Sequence, residues 1–209
     1  MKIQSITPHN IGWLEIKLND DEMRHLWDCC ADPKGDYKTS LAGNIDNSQE
    51  IIDKDNWFWN NVLIGCLNTY AKDFVNMGSK YPTSIPHPYH LSSFWVNYQK
   101  ENEFNPRHTH GNAIYTFVIW MKIPTKFEEQ KKLHIASGTY SNAISNFTFD
   151  YLDILGGSVC EHYNMSPEME GTMLFFPASL NHQVYPFYNC KDERISISGN
   201  ISVDTTRKL

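Results

Sequence analysis

The polar and apolar positions change period along the chain. Ile11 to Leu18 alternates well enough to predict a short strand. After Asn19, the residues Met23, Leu26, Trp27 and Cys30 fall at i, i+3, i+4 and i+7, one face of a helix with Asp20 or Asp21 as its N-cap. Pro33 and Gly35 end it. The polar stretch 36–53 predicts an irregular connection. A second helix is expected from about Trp57 to Met77, capped by Asp55 and closed by Gly78, because Trp57, Phe58, Val62, Leu63, Cys66, Leu67, Tyr70 and Phe74 repeat at three and four. Ser84 to His90, stiffened by prolines, reads as an entry loop to the second half of the chain.

From Leu91 the period becomes two. Strands are expected at Ser92–Gln99, Ile114–Ile123, Asn146–Leu152, Ser158–Asn164, Glu170–Pro177, His182–Phe187 and Arg194–Val203, with a turn over Glu101–Pro106 and a charged loop over Lys126–Lys132. Short strands at this spacing predict a sandwich or barrel. The last strand places Ile195, Ile197 and Ile201 on one face and Arg194, Ser196, Ser198 and Asn200 on the other. With the isoleucines packed on the two helices, the polar face turns inward. The expected fold is therefore mainly β, with the helices covering the outer face of a sheet. We expect one domain over 1–209, comprising a cover at 1–90 and a β core at 91–203.

Composition narrows the chemistry. The hydrophobic share of 41% and charged share of 20% are those of a globular chain. The net charge of −6, with no long run of Lys or Arg, argues against a nucleic-acid partner. No stretch is long enough for a membrane span, and Met1-Lys-Ile-Gln-Ser5 lacks the apolar core of a leader. Five cysteines without CxxC spacing fit reduced thiols, so a cytoplasmic location is expected.

His108 and His110 stand one residue apart, after Asn105-Pro106 and before the apolar Ile114–Ile123 run. In an extended strand, i and i+2 share a face, so both imidazoles can reach one metal ion. On its own the pair serves equally as two hydrogen-bonded loop histidines. His182 comes after the Gly171–Pro177 strand, and Arg194 opens the last one. A guanidinium at the mouth of a barrel suits a carboxylate, which it grips through two parallel hydrogen bonds. His87 and His90 read as surface histidines.

In this order the motifs resemble the 2-oxoglutarate/Fe(II)-dependent oxygenases, a double-stranded β-helix (jelly-roll, cupin-like) superfamily. Within it, Trp95-Val-Asn97, Asn105-Pro106-x-His108-x-His110, Phe175-Phe-Pro177, His182-x-Val184 and Arg194-Ile-Ser-Ile-Ser198 are similar to a group of oxygenases found in bacteria and especially in phages. Leu41-Ala-Gly-Asn-Ile45 extends the resemblance upstream. It implies Fe(II), 2-oxoglutarate and O2 as cofactor and co-substrates, and hydroxylation of a small-molecule or peptide/protein substrate that the sequence does not specify. A phage-encoded protein of this kind would act in the host cytoplasm. His108 and His182 would be iron ligands, Arg194 would clamp the distal carboxylate of 2-oxoglutarate, and Ser196 and Tyr98 would donate hydroxyls to it. Where the superfamily commonly has a carboxylate, this chain has His110, giving three neutral imidazoles and a less selective site. Glu103 or Asp150 would have to supply a carboxylate from outside the motif. Two other readings compete: a three-histidine cupin enzyme that does not use 2-oxoglutarate, and a non-catalytic β-sandwich binding protein of phage type.

Overall fold

Arg194–Val203, the last alternating segment, is the central strand of the larger sheet. The structure, a computed structural model, describes residues 3–6, 10–80 and 87–206. Among them are eleven strands: β1 (Leu14–Lys17), β2 (Gly35–Asp36), β3 (Asn47–Glu50), β4 (Tyr89–Gln99), β5 (Asn105–His108), β6 (Tyr115–Lys122), β7 (Asn146–Leu152), β8 (Ser158–Asn164), β9 (Thr172–Pro177), β10 (Asn181–Val184) and β11 (Arg194–Val203). One sheet has the order β1-β9-β6-β11-β4-β3-β2 and the other β5-β10-β7-β8. Every pairing is antiparallel. The two-residue periods at 146–152, 158–164 and 194–203 give strands with the expected bounds. The expected entry loop at 84–90 lies partly outside the described residues.

The two faces of β11 carry different cores. Ile197 and Ile201 are fully buried, with Ile195 packed beside them, in a cluster that also holds Leu26, Phe58, Leu63, Leu67 and Tyr70. These last five come from helix α1 (Asp20–Cys30) and from the segment leading into and through helix α2 (Ile64–Asp73). Phe94, Val96, Phe117 and Phe175 join them from the larger sheet. The inward face of that sheet supplies Val118, Trp120, Leu174 and Phe176 to a second core, closed by Phe147 and Phe149 of the smaller sheet. This is the expected jelly roll, with the apolar alternation of each strand deciding which core its side chains enter.

Several local expectations change. The cap of α1 is Asn19: its Oδ1 accepts from Asp21 and Glu22 N–H (both 3.0 Å), and Glu22 returns a bond to the Asn19 N–H at 2.8 Å, a capping box. The second helical segment begins with one π-helical stretch, Trp59–Leu63, before α2, and ends at Asp73 well short of Gly78. Its cap is Asp53 rather than Asp55. The Asp53 carboxylate accepts from Phe58 and Trp59 N–H at 2.8 Å each, whereas Asp55 sits at φ 58° in the turn between. The supposed irregular stretch 36–53 contains β2 and β3, which extend the larger sheet, and the supposed loop 126–132 contains a short helix α3 (Phe127–Gln130).

Asp53 also contacts His25 Nε2 at 2.9 Å, and the His25 ring stacks on Trp57. One buried carboxylate therefore fixes the start of one helix against the middle of another. Asp53→Ala is expected to lower the unfolding free energy by about 2 kcal/mol, the upper end for a lost cap, with an unchanged m-value in urea denaturation.

Candidate active site

β5 and β10 are neighbours, and their register sets His108 directly opposite His182. His110 lies just past the end of β5, where its backbone N–H donates to the Ala178 carbonyl at 2.9 Å. The strand ends at His108, so the expected i/i+2 strand geometry does not bring His110 in. The chain turn anchored on Ala178 does. The ligand nitrogens of His108, His110 and His182 all lie within 4.8 Å of one another. His110 Nε2 and His182 Nε2 are 3.2 Å apart. Three nitrogens on one face of an octahedral ion, at about 2.1 Å each, stand about 3 Å apart, so the cluster has the dimensions of a metal site.

The orientation of two rings is fixed by the backbone. His108 Nδ1 lies 2.7 Å from the Pro106 carbonyl and His182 Nδ1 lies 2.9 Å from the Leu180 carbonyl. A carbonyl only accepts, so each Nδ1 carries the proton and each Nε2 keeps its lone pair for a ligand. Phe176 meets the His182 ring edge-to-face at 4.9 Å between centroids and Phe147 lies at 5.9 Å, walling it off from water. Burial lowers all three histidine pKa values. That of His110 falls to about 4, with His108 adding to the effect, and that of His182 falls well below its ordinary value, reinforced by both neighbours. At neutral pH all three are uncharged and able to ligate.

Among the described residues, no carboxylate joins this group. Glu103 instead accepts from the Asp46 and Lys100 backbone N–H groups at 3.0 and 2.8 Å, tying a turn together. Asp150 accepts from Gln183 Nε2 at 3.2 Å. His87 and His90 are not part of the cluster either.

The histidines line a cavity of about 130 Å³ between the sheets, together with Ser196, Ser198 and Asn200 of β11 and Trp95 and Asn97 of β4. Arg194 lies farther along the same strand and does not itself line the cavity. Its side chain is buried, its Nη2 donates to Ser145 Oγ at 2.9 Å, and its guanidinium carbon lies 4.9 Å from the centre of the Phe187 ring. Nε and Nη1 have no partner. Among the described residues no carboxylate offsets the charge, and burial pushes its pKa down to about 9. A buried guanidinium with two donors unmet is a costly arrangement unless an anion completes it. The donor set therefore fits a carboxylate ligand.

Tyr98 is a correction. It pairs across the sheet with Ile195, while Asn97 pairs with Ser196. Tyr98 consequently shares the helix-side cluster with Ile195, and the inward positions on β4 are Trp95, Asn97 and Gln99. It packs on the face of β4 opposite the cavity that the histidines line, so it does not stand beside them as a hydroxyl donor. Ser145 and Phe187, the observed neighbours of Arg194, belong to loops with no periodic pattern to mark them. Asn97 is held by Ser48 Oγ, which donates to its Oδ1 at 2.8 Å.

The mouth is roofed by the segment around Leu41 and Ala42. Asn44 N–H donates to the Phe104 carbonyl at 2.9 Å, and Gly43 leaves no room for a Cβ between the Asn105 side chain and that same carbonyl. Glycine is required here by this close approach.

A family model described as "Putative 2OG-Fe(II) oxygenase" matches residues 93–200, which span β4 to β11 and include all three histidines and Arg194. The chain belongs to this oxygenase family. As a member it uses Fe(II), 2-oxoglutarate and O2 to oxidise a substrate. Among solved structures, the oxygenase is similar to the viral collagen prolyl hydroxylase of Paramecium bursaria Chlorella virus-1, in a 2-oxoglutarate complex, with 13% identity over 90% of this chain and 94% of that one and a TM-score of 0.50. This likeness identifies the double-stranded β-helix fold. A prolyl-4-hydroxylase of Pseudomonas putida (14% identity, 93% and 94% coverage, TM-score 0.48) and an oxidoreductase of the 2OG-Fe(II) oxygenase family from Burkholderia pseudomallei (12%, 95% and 89%, 0.47) are also similar. No curated protein matches in sequence. No helix among the described residues is long and apolar enough to cross a membrane.

Proposed function

We propose that His108, His110 and His182 hold the iron of this oxygenase and that Arg194 receives the distal carboxylate of 2-oxoglutarate. When bound, the metal couples decarboxylation of 2-oxoglutarate to succinate and CO2 with insertion of the second oxygen atom of O2 into a substrate C–H bond. The protein's own part is positional. Pro106 and Leu180 carbonyls hold the His108 and His182 lone pairs toward a common point. Ser196 lies two residues along β11 from Arg194, about 7 Å on a strand, and offers a hydroxyl between the guanidinium and the histidines. Phe147 and Phe176 exclude water from the same space. The substrate is a small molecule or a group carried on a peptide or protein.

The observation that carries this reading is the pairing, between the two sheets, of three converging neutral imidazoles with a buried arginine that lacks an anion. A three-histidine enzyme that does not use 2-oxoglutarate has no need of the second feature. The test is succinate formation from 2-oxoglutarate by Fe(II)-loaded protein under air. A slow, substrate-independent turnover is expected, accelerated by the correct substrate. Absence of both succinate formation and 2-oxoglutarate binding would overturn the proposal.

A further inference from the structure

Positions along β11 divide the space beside the histidines into two arms, one toward Asn200 and one toward Arg194, which lies beyond the cavity's own lining. The inward residues of β11 run Arg194, Ser196, Ser198, Asn200, and only the last three line the cavity. Trp95 stands opposite Ser198 in the register, and its ring centre lies 6.0 Å from that of His110. The histidines therefore sit near the level of Ser198. Arg194 lies on one side of that level, Asn200 on the other, away from the proposed 2-oxoglutarate arm. The far arm holds Asn200 and Thr116 and is bounded at the histidines' level by Trp95, on which the Tyr37 ring stacks at 4.8 Å and 14°.

Two features define what this arm can take. Among the described residues, no Asp, Glu, Lys or Arg lines the cavity. With the charges of Fe(II) and the 2-oxoglutarate dianion offsetting one another, a substrate group that is itself charged would lose its hydration and find no protein charge to compensate it. The arm also contains an unmet donor, Trp95 Nε1, and an unmet acceptor, Asn200 Oδ1, both buried. Folded proteins leave few such atoms without a partner, so an orphan pair beside a cavity marks where a ligand completes the bonding. Trp95 and Asn200 are diagonal neighbours on adjacent strands, about 7–8 Å apart by residue position. An amide offers both missing partners at once, its oxygen accepting from the indole N–H and its nitrogen donating to the asparagine oxygen. Thr116 is already committed as a donor to the Gly199 carbonyl at 3.0 Å, so it adds acceptor capacity.

We infer that the group this enzyme presents to its iron is a small, uncharged amide, such as an asparagine or glutamine side chain carried on a peptide. Trp95 and Asn200 determine that specificity. The inference rests on the oxygenase reading of the same site. Trp95 bonds the carbonyl, Asn200 bonds the amide nitrogen, and Tyr37 buttresses the indole from outside. The aspartate or glutamate counterpart is rejected because its carboxylate cannot donate to Asn200 and stays uncompensated.

The test uses the full chain loaded with Zn(II) and 2-oxoglutarate, which binds without turning over. Blocked asparagine, N-acetylated and C-terminally amidated, and its blocked aspartate counterpart are titrated separately and followed by NMR. Saturable binding of the asparagine probe is expected, with the aspartate probe weaker by about tenfold or more. Trp95→Phe, which keeps the stacked ring and removes only the N–H, is expected to weaken the asparagine probe by about tenfold, with metal content and melting temperature reporting its folding. Equal binding of the two probes, no binding of either, or an unaffected Trp95→Phe variant would each overturn the inference while leaving 2-oxoglutarate binding intact. If the wild-type protein takes up neither metal nor 2-oxoglutarate, the oxygenase reading itself falls, and the inference with it.

Discussion

His182→Ala is expected to lose most of its bound metal, with affinity falling by more than about a hundredfold. Removing even an outer partner of a metal-bound histidine typically costs about 10- to 100-fold, and His182 is proposed as a ligand in its own right. It is also the most buried of the three, held between the Leu180 carbonyl and the Phe176 ring. His108 stands opposite it across the β5–β10 ladder and His110 lies 3.2 Å from its Nε2. Those two would remain as a two-nitrogen site without a carboxylate to make good the loss. Elemental analysis of untagged protein after dialysis checks this, with His134→Ala, an exposed histidine outside the cluster, as the control. Metal retained at full stoichiometry in His182→Ala would exclude this cluster as the metal site.

Whether a feature was legible in the sequence depends on whether it is set locally. The β7, β8 and β11 strands declare themselves because alternation is a local property, and the isoleucine face of β11 points toward the helices as its period requires. β3, with the sequence Asn-Ser-Gln-Glu, carries no apolar alternation. It becomes a strand by pairing with β4 and burying Ser48 against Asn97, a contact made across 49 residues. Tyr98 fails for a related reason. The resemblance implies a hydroxyl donor there, but the face of a strand is set by its register with β11, and that pairing is non-local. Asp53 and Asp55 are equivalent as cap candidates in sequence. The choice falls to Asp53 because its carboxylate reaches two N–H groups and His25 together. The His108–His110–His182 set was legible from motif order. The route by which His110 arrives, through a turn bonded to Ala178, was not.

Arg194→Ala should weaken 2-oxoglutarate binding by about ten- to a hundredfold or more, leaving metal content nearly intact. A charge-assisted hydrogen bond contributes about 1.5–3 kcal/mol, and each 1.4 kcal/mol is a decade of affinity. The environment favours the upper part of that range. The guanidinium is buried, has no carboxylate partner among the described residues, and keeps donors on both Nε and Nη1 unmet for a charge-assisted bond. Ser145 and the Phe187 ring hold the side chain in place, so little ordering is left for the ligand to impose. Arg194→Lys is expected to recover only part of the loss, since lysine keeps the charge without the fork. The same substitution acts on folding in the opposite sense. Removing an unpaired buried charge relieves a cost that the ligand-free protein bears, so Arg194→Ala is expected to unfold at a temperature no lower than the cavity it leaves would dictate. Calorimetric titration of metal-loaded protein with 2-oxoglutarate under anaerobic conditions measures the first effect, and thermal unfolding without 2-oxoglutarate the second. If Arg194→Ala binds 2-oxoglutarate as well as wild type, the carboxylate lies elsewhere, and the three imidazoles must be explained without this co-substrate clamp.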